Sequence, residues 1–221
     1  MQGPGKAPDG HMTARSRKNS GSLGGSKLRK GLLGWPGLAL LMLMAAALPG
    51  EAQAQGFALE KFSREAGLRF AYGKSLQKAS VHLYCLFPRW GLFLSRPGQG
   101  WLGPLGLSAV VEGVIGGAEA ESPGWEVGLT PLLKLSVPLR RRALLFLEGG
   151  AGVIWECINS PAIGHTFNFT PQVGAGVEVA LGEHWGLTFA YRFRHSSNAG
   201  LYKENPAFNV GFLQFGLTCY Y

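Results

Sequence analysis

A histidine and two serines stand together in Arg194-His195-Ser196-Ser197-Asn198-Ala199-Gly200, and Asn205-Pro206-Ala207-Phe208-Asn209 follows a few residues later. An imidazole beside a hydroxyl is the pairing of general base and nucleophile used in ester and amide hydrolysis. Which serine partners the histidine depends on the backbone. In an extended strand successive side chains alternate faces, so His195 and Ser197 share one face and Ser196 takes the other. The Cβ atoms of 195 and 197 then lie roughly 6.5–7 Å apart. That is near enough for an imidazole and a hydroxymethyl to meet.

The residues that lead into this stretch carry that alternation. Trp185, Leu187, Phe189, Tyr191 and Phe193 fall on one face, and Gly186, Thr188, Ala190, Arg192 and Arg194 on the other. His195 and Ser197 continue the apolar face. A base and a hydroxyl are thus presented towards an apolar medium, where a polar side chain costs free energy unless it is paired or used.

The same two-residue period recurs along the chain. Leu68, Phe70 and Tyr72 form one run; Val81, Leu83, Cys85 and Phe87 a second; Leu107, Ala109 and Val111 a third. Longer runs extend from Trp125 to Val137, from Leu145 to Trp155 and from Phe167 to Val179. With the runs at 185–197 and 209–221 the sequence predicts eight strands, preceded by a short amphipathic piece at 56–66 that suits a helical turn capping one end. In this reading the large residues hold one phase throughout. The other phase holds glycine, small polar residues and nearly balanced charges, Glu112, Glu126, Glu148 and Glu178 against Lys134, Arg192 and Arg194.

A water-soluble β-protein arranges these phases the other way round. Long strands of even number, with an apolar outer phase, a polar inner phase and aromatics near the ends, predict an all-β, eight-stranded antiparallel transmembrane β-barrel with a plugged lumen. The terminal alternation Leu213, Phe215, Leu217, Cys219, Tyr221 fits an outer-membrane strand, and closing first strand on last leaves no edge. A soluble lipocalin-like carrier would need its apolar phase turned inward around a pocket.

Charge excludes a further class. The formal +8 is uneven: residues 1–54 hold seven Lys/Arg against Asp9 and Glu51, and the remainder holds 14 basic and 11 acidic residues. No basic stripe with interleaved aromatics is left for nucleic acid. Cys85, Cys157 and Cys219 are odd in number and far apart, which suits small apolar fillers better than a disulfide framework or a metal site. No metal or other cofactor is expected.

The first 54 residues are of a different kind. A basic Gly/Ser-rich region ending in Lys27, Arg29 and Lys30, an apolar run from Leu32 to Leu48 and the small-x-small Ala52-Gln53-Ala54 predict a cleavable secretory signal peptide, with Met12 an alternative start. The competing assignment is a membrane-anchoring helix, which the run is barely long enough to form. The barrel then occupies 55–221.

His195-Ser196-Ser197-Asn198-Ala199-Gly200-Leu201, the Asn205-Pro206 turn and Asn209 resemble the PagL-type outer-membrane lipid A 3-O-deacylases, or acyloxyacyl hydrolases. Trp125-Glu126-Val127-Gly128-Leu129-Thr130-Pro131 and Phe146-Leu147-Glu148-Gly149-Gly150-Ala151-Gly152 are similar to strands of that family. The resemblance covers 125–221 well and the first strands weakly. It implies a barrel with a Ser–His–acid site on its lipid-facing wall that hydrolyses an ester-linked acyl chain of lipid A. By motif His195 is the base and Ser197 the nucleophile, while Asn198 and the Gly200 N–H stand at the oxyanion-hole positions.

The third member departs from the family pattern, whose glutamate position falls on Asn209 here. Asn209 has the outward parity of 213, 215 and 217, and its oxygen can hold an imidazole N–H without adding charge. Glu204, in the connecting loop, is the alternative acid. Arg194, Lys203 and Arg192 are candidate contacts for lipid phosphates, Arg192 fitting a lumen ion pair better. His82, His165 and His184 are read as surface or lumen histidines without a hydroxyl partner at strand spacing.

The reading that combines these features is a serine esterase remodelling lipopolysaccharide in the bacterial outer membrane. Its partners are lipid A and the membrane, with a homodimer left open and nucleic acid excluded. The alternative is a non-enzymatic small barrel of structural or adhesive use.

Overall fold

The computed structural model describes residues 56–221 except 79 and 141. The expected signal peptide at 1–54 lies outside the described residues. Eight antiparallel strands follow in order: β1 Arg64–Ser75, β2 His82–Ser95, β3 Gly106–Glu119, β4 Gly124–Arg140, β5 Ala143–Cys157, β6 Phe167–Ala180, β7 Trp185–Ser196 and β8 Phe208–Tyr220. Each pairs with its sequence neighbour, and β1 pairs with β8 to close the barrel. Closure satisfies every strand's backbone within the sheet, which a bilayer requires.

The register fixes the tilt. A row of facing residues leaves β7 at His195, passes Pro171, Ala151, Pro131, Val111, Trp90, Ala66 and Cys219, and returns to β7 at Trp185. The shift is 195 − 185, or ten residues, around eight strands. Ten rises of about 3.3 Å against eight spacings of about 4.8 Å give a strand tilt of about 40°. Going from β7 towards β6, the row descends from the end that carries His195 towards the end that carries Tyr221.

The outer wall is apolar, with Leu68, Phe70, Leu129, Leu133, Leu147, Leu213 and Phe215 exposed. Aromatic girdles ring both ends: Tyr72, Tyr84, Trp125 and Trp155 at the His195 end, and Trp90, Trp185 and Tyr221 at the other. This is the surface of an outer-membrane barrel.

The lumen is filled in three layers. A central ionic layer links Arg69 to Glu148 at 2.8 Å, Arg89 to Glu112 at 3.1 Å and to Glu148 at 2.9 Å, and Lys134 to Glu65 and Glu178 at 2.9 Å each. Arg192 bonds Glu112 and Glu148, and Arg194 holds Glu126 through two bonds of 2.8 and 2.7 Å. Charges this deeply buried persist because each finds a partner. Below them Leu59 and Phe62, beside the short 3-10 turn Leu59–Lys61, pack with Leu144 and Tyr220 and cap the barrel floor, as the amphipathic piece predicts.

The third layer corrects the sequence reading. Val81, Leu83, Cys85 and Phe87 face inward and are buried, while His82, Tyr84, Leu86 and Trp90 face outward, so the phase of β2 is the reverse of that expected. They pack with Ile154, Phe208, Val210 and Phe212 into an apolar core under the site end. Of the three free cysteines only Cys85 is a buried filler; Cys157 is exposed and Cys219 half-buried.

Candidate active site

His195 is placed by the β7–β8 ladder, in which it faces Asn209 directly. On an antiparallel pair such residues share a face with Cβ atoms about 5 Å apart. Here their side chains meet, His195 Nδ1 to Asn209 Oδ1 at 2.7 Å. An amide oxygen only accepts, so Nδ1 carries the proton of this bond, and in the neutral ring the lone pair is on Nε2. Asn209 is held in turn by the β1–β2 loop: its N–H donates to Gln77 Oε1 at 3.4 Å, and its carbonyl accepts from Leu76 N–H at 2.9 Å.

Alternation persists through the motif. Ser196 points into the lumen, 2% exposed, and its hydroxyl donates to Glu156 Oε1 at 2.6 Å. Ser197 leaves β7 but keeps a backbone bridge to Phe169 on β6, with N···O distances of 3.1 and 2.8 Å. It is half-buried like His195, on the outward phase. Its hydroxyl makes no hydrogen bond to the described residues, His195 included.

The loop from 197 to 207 is folded around Asn198, which is 1% exposed. Asn198 N–H donates to Asn205 Oδ1 at 2.9 Å, its Nδ2 donates to the Glu204 carbonyl at 2.7 Å, and its Oδ1 accepts from Gly200 N–H at 2.9 Å. Ala199 and Gly200 turn the chain through positive φ, 53° and 84°. Glycine takes that conformation without strain; Ala199, exposed, is spanned by the turn bond from Leu201 N–H to the Asn198 carbonyl at 3.0 Å. Both expected oxyanion donors are thus engaged within the loop, Asn198 keeping one free amide N–H.

Glu204 enters this arrangement through its carbonyl. Its side chain is exposed, with no hydrogen bond or ion pair among the described residues. Across the rim the β5–β6 loop packs against the site loop, where His165 stacks on Tyr202 at 4.1 Å. Arg192 and Arg194 lie in the lumen, paired with glutamates, and do not reach the outer surface; Lys203 is exposed in the loop.

His82 has the partners that strand spacing was expected to deny it. Its Nδ1 lies 2.6 Å from the Tyr72 hydroxyl and its Nε2 3.3 Å from Ser80 Oγ. The signal for Ser80 was present, since it precedes the histidine by two residues. Gln77 gave none, because loop-to-strand contact arises only on closure.

A small barrel with a plugged lumen, a lipid-facing wall and its polar groups gathered at one rim defines an outer-membrane β-barrel protein. The model of the family described as lipid A 3-O-deacylase (PagL) matches residues 82–218, more than half of the chain. The chain belongs to that family. The crystal structure of the outer-membrane enzyme PagL aligns with a TM-score of 0.54 and 21% identity, over 68% of this chain and 98% of that one. Neisserial surface protein A (NspA) aligns with a TM-score of 0.51 and 13% identity, over 72% and 97%. At these identities both establish the fold. Among curated proteins none matches the sequence.

Proposed function

We propose that this protein is an outer-membrane serine esterase that removes the 3-O-linked acyl chain of lipid A. Membership of the lipid A 3-O-deacylase family supports the substrate class. The observation that carries the chemistry is the 2.7 Å contact between His195 Nδ1 and Asn209 Oδ1, on the outward face that Ser197 shares.

Asn209 holds the Nδ1 proton, which leaves Nε2 to take the proton of Ser197 Oγ as the oxygen attacks the acyl carbonyl. The C–O bond to the sugar breaks, and the imidazolium returns its proton to the departing sugar hydroxyl. Water, activated by the same nitrogen, then releases the acyl chain as a carboxylic acid and restores Ser197. The free Asn198 amide N–H is one donor for the oxyanion. Gly200 N–H becomes the second when its bond to Asn198 Oδ1 opens.

Asn209 adds no charge, so the imidazolium is stabilised less than beside a carboxylate. An ester has a better leaving group than an amide and asks less of its base. Mass spectrometry of lipopolysaccharide from cells with and without the protein tests the proposal. The expected difference is the mass of one hydroxylated acyl chain, lost from the 3-position. Identical lipid A in both would refute it.

A further inference from the structure

We propose that Ser80, His82 and Tyr72 form a second nucleophilic site at the same rim, one that cleaves acyl esters of glycerophospholipids. It shares no residue with the site at His195 and Ser197 and stands or falls independently of it.

The hydrogen bonds are those of a base held between a nucleophile and an orienting group. His82 Nε2 lies 3.3 Å from Ser80 Oγ, and its Nδ1 lies 2.6 Å from the Tyr72 hydroxyl. Ser80 is exposed and His82 half-buried, two residues apart at the start of β2. Tyr72 reaches His82 diagonally across the β1–β2 ladder, a span open to an aromatic side chain. Its ring stacks on the imidazole with centroids 5.8 Å apart and packs on Tyr84 at 5.6 Å, so contact as well as hydrogen bonding fixes the base. In the neutral imidazole one nitrogen donates and the other accepts. With Nδ1–H donated to the Tyr72 oxygen, Nε2 accepts from Ser80. Three strand spacings of about 4.8 Å separate β2 from β7 around the closed wall, about 14 Å, so His195 cannot serve Ser80.

The neighbouring strands supply charge. Lys74 faces His82 from β1, and Glu119 faces it from β3. Lys74 and Lys78 are exposed without a partner among the described residues, while Glu119 accepts from the Tyr84 hydroxyl at 3.4 Å. The carboxylate favours an imidazolium at His82, and the lysine favours an oxyanion beside it. Height selects the substrate. Tyr72 and Tyr84 belong to the aromatic girdle, which marks the boundary of hydrocarbon and head groups. The ester carbonyls of a glycerophospholipid lie at that boundary, with the phosphate above them on the side of the lysines and the chains below, where Phe70 and Leu86 are exposed.

Ser80 Oγ attacks the ester carbonyl as its proton passes to His82 Nε2. The carbon–oxygen bond to glycerol breaks, and the glycerol oxygen takes that proton. Water then gives a proton to Nε2 and attacks the acyl-serine; the fatty acid leaves, and Ser80 recovers its proton from Nε2.

Purified full-length Ser197→Ala protein in detergent isolates this site. A long-chain alkyl fluorophosphonate, which loses fluoride to an activated serine, is expected to add one phosphonyl group to the peptide that contains Ser80. Adding Ser80→Ala should abolish the label, and adding His82→Gln should slow it by about 10²-fold. No label on Ser80, or a rate unchanged by His82→Gln, would overturn the site. Phosphatidylglycerol in the same micelles is expected to release fatty acid with Ser197→Ala and none once Ser80→Ala is added; label without release would overturn the phospholipid assignment. Tyr72→Phe keeps the stacked ring and removes the hydroxyl. Nitrogen-15 spectra of histidine-labelled protein, with His82→Gln to assign the signal, should show the His82 proton on Nδ1, moving to Nε2 in Tyr72→Phe. A proton on Nε2 in both proteins would overturn the role of Tyr72.

Discussion

His195 and Asn209 face one another across the β7–β8 ladder with Nδ1 and Oδ1 2.7 Å apart, so that in the proposed mechanism an amide stands where an acid would orient the base. An orienting group acts by fixing tautomer and ring position, and its loss is costly even when the nucleophile is untouched. Asn209→Leu is therefore expected to lower kcat by about 10²- to 10⁴-fold. Asn209→Glu keeps the acceptor and adds charge, so activity is expected to be retained or to rise. Glu204→Gln alters an exposed carboxylate without a partner among the described residues and should leave kcat within a few-fold of wild type. Steady-state rates on a lipid A substrate in micelles measure all three, and a Glu204→Gln loss matching Asn209→Leu would return the acid to the loop.

The lumen network makes a prediction about stability. Glu148 bonds Arg69, Arg89 and Arg192 at once, all buried. Glu148→Gln keeps the shape and removes the charge, leaving three guanidiniums short of a counter-ion, at a cost of about 3 kcal/mol. The urea midpoint in micelles, read from the mobility of the unheated barrel in gels, should fall accordingly. The outer wall is untouched, so activity per folded molecule should be unchanged. An unshifted midpoint would show that the network carries little of the stability.

Much of this was legible because a strand has a period of two. The same alternation that placed Phe193 outward carried His195 and Ser197 with it and sent Ser196 to the lumen, and the short hairpin returned Asn209 to the matching face. The phase of β2 was not legible. Large side chains fill both faces there, Leu83 and Phe87 inward and Leu86 and Trp90 outward, so size could not tell lipid from lumen. The ion partners Arg69, Arg89 and Glu65 were missed for a related reason: they are joined across the barrel, and sequence spacing holds no record of that distance. Gln77 on Asn209 and Tyr72 on His82 likewise exist only because β1 closes on β8 and pairs β2.

Asn198 has two proposed roles to separate. In the loop its Oδ1 accepts the Gly200 N–H and one Nδ2 N–H donates to the Glu204 carbonyl; as an oxyanion donor its second Nδ2 N–H would donate a hydrogen bond. Asn198→Asp keeps the acceptor and removes both amide donors, the loop bond to the Glu204 carbonyl included, so the melting temperature is read beside the rate. If donation to the transition state dominates, Asn198→Asp and Asn198→Ala should both lower kcat by about 10²- to 10³-fold with little change in KM. Recovery of most activity in Asn198→Asp would assign the residue to loop structure alone.

The assignment of nucleophile to the outer wall is tested most directly by two adjacent serines. Ser197→Ala and Ser196→Ala are placed in the same folded barrel, and release of the 3-O acyl chain from lipid A is followed by mass spectrometry. The account predicts that Ser197→Ala abolishes release. Ser196→Ala, which loses only the lumen bond to Glu156, should keep most of it. The reverse order would place the chemistry on the lumen side of β7 and contradict the account.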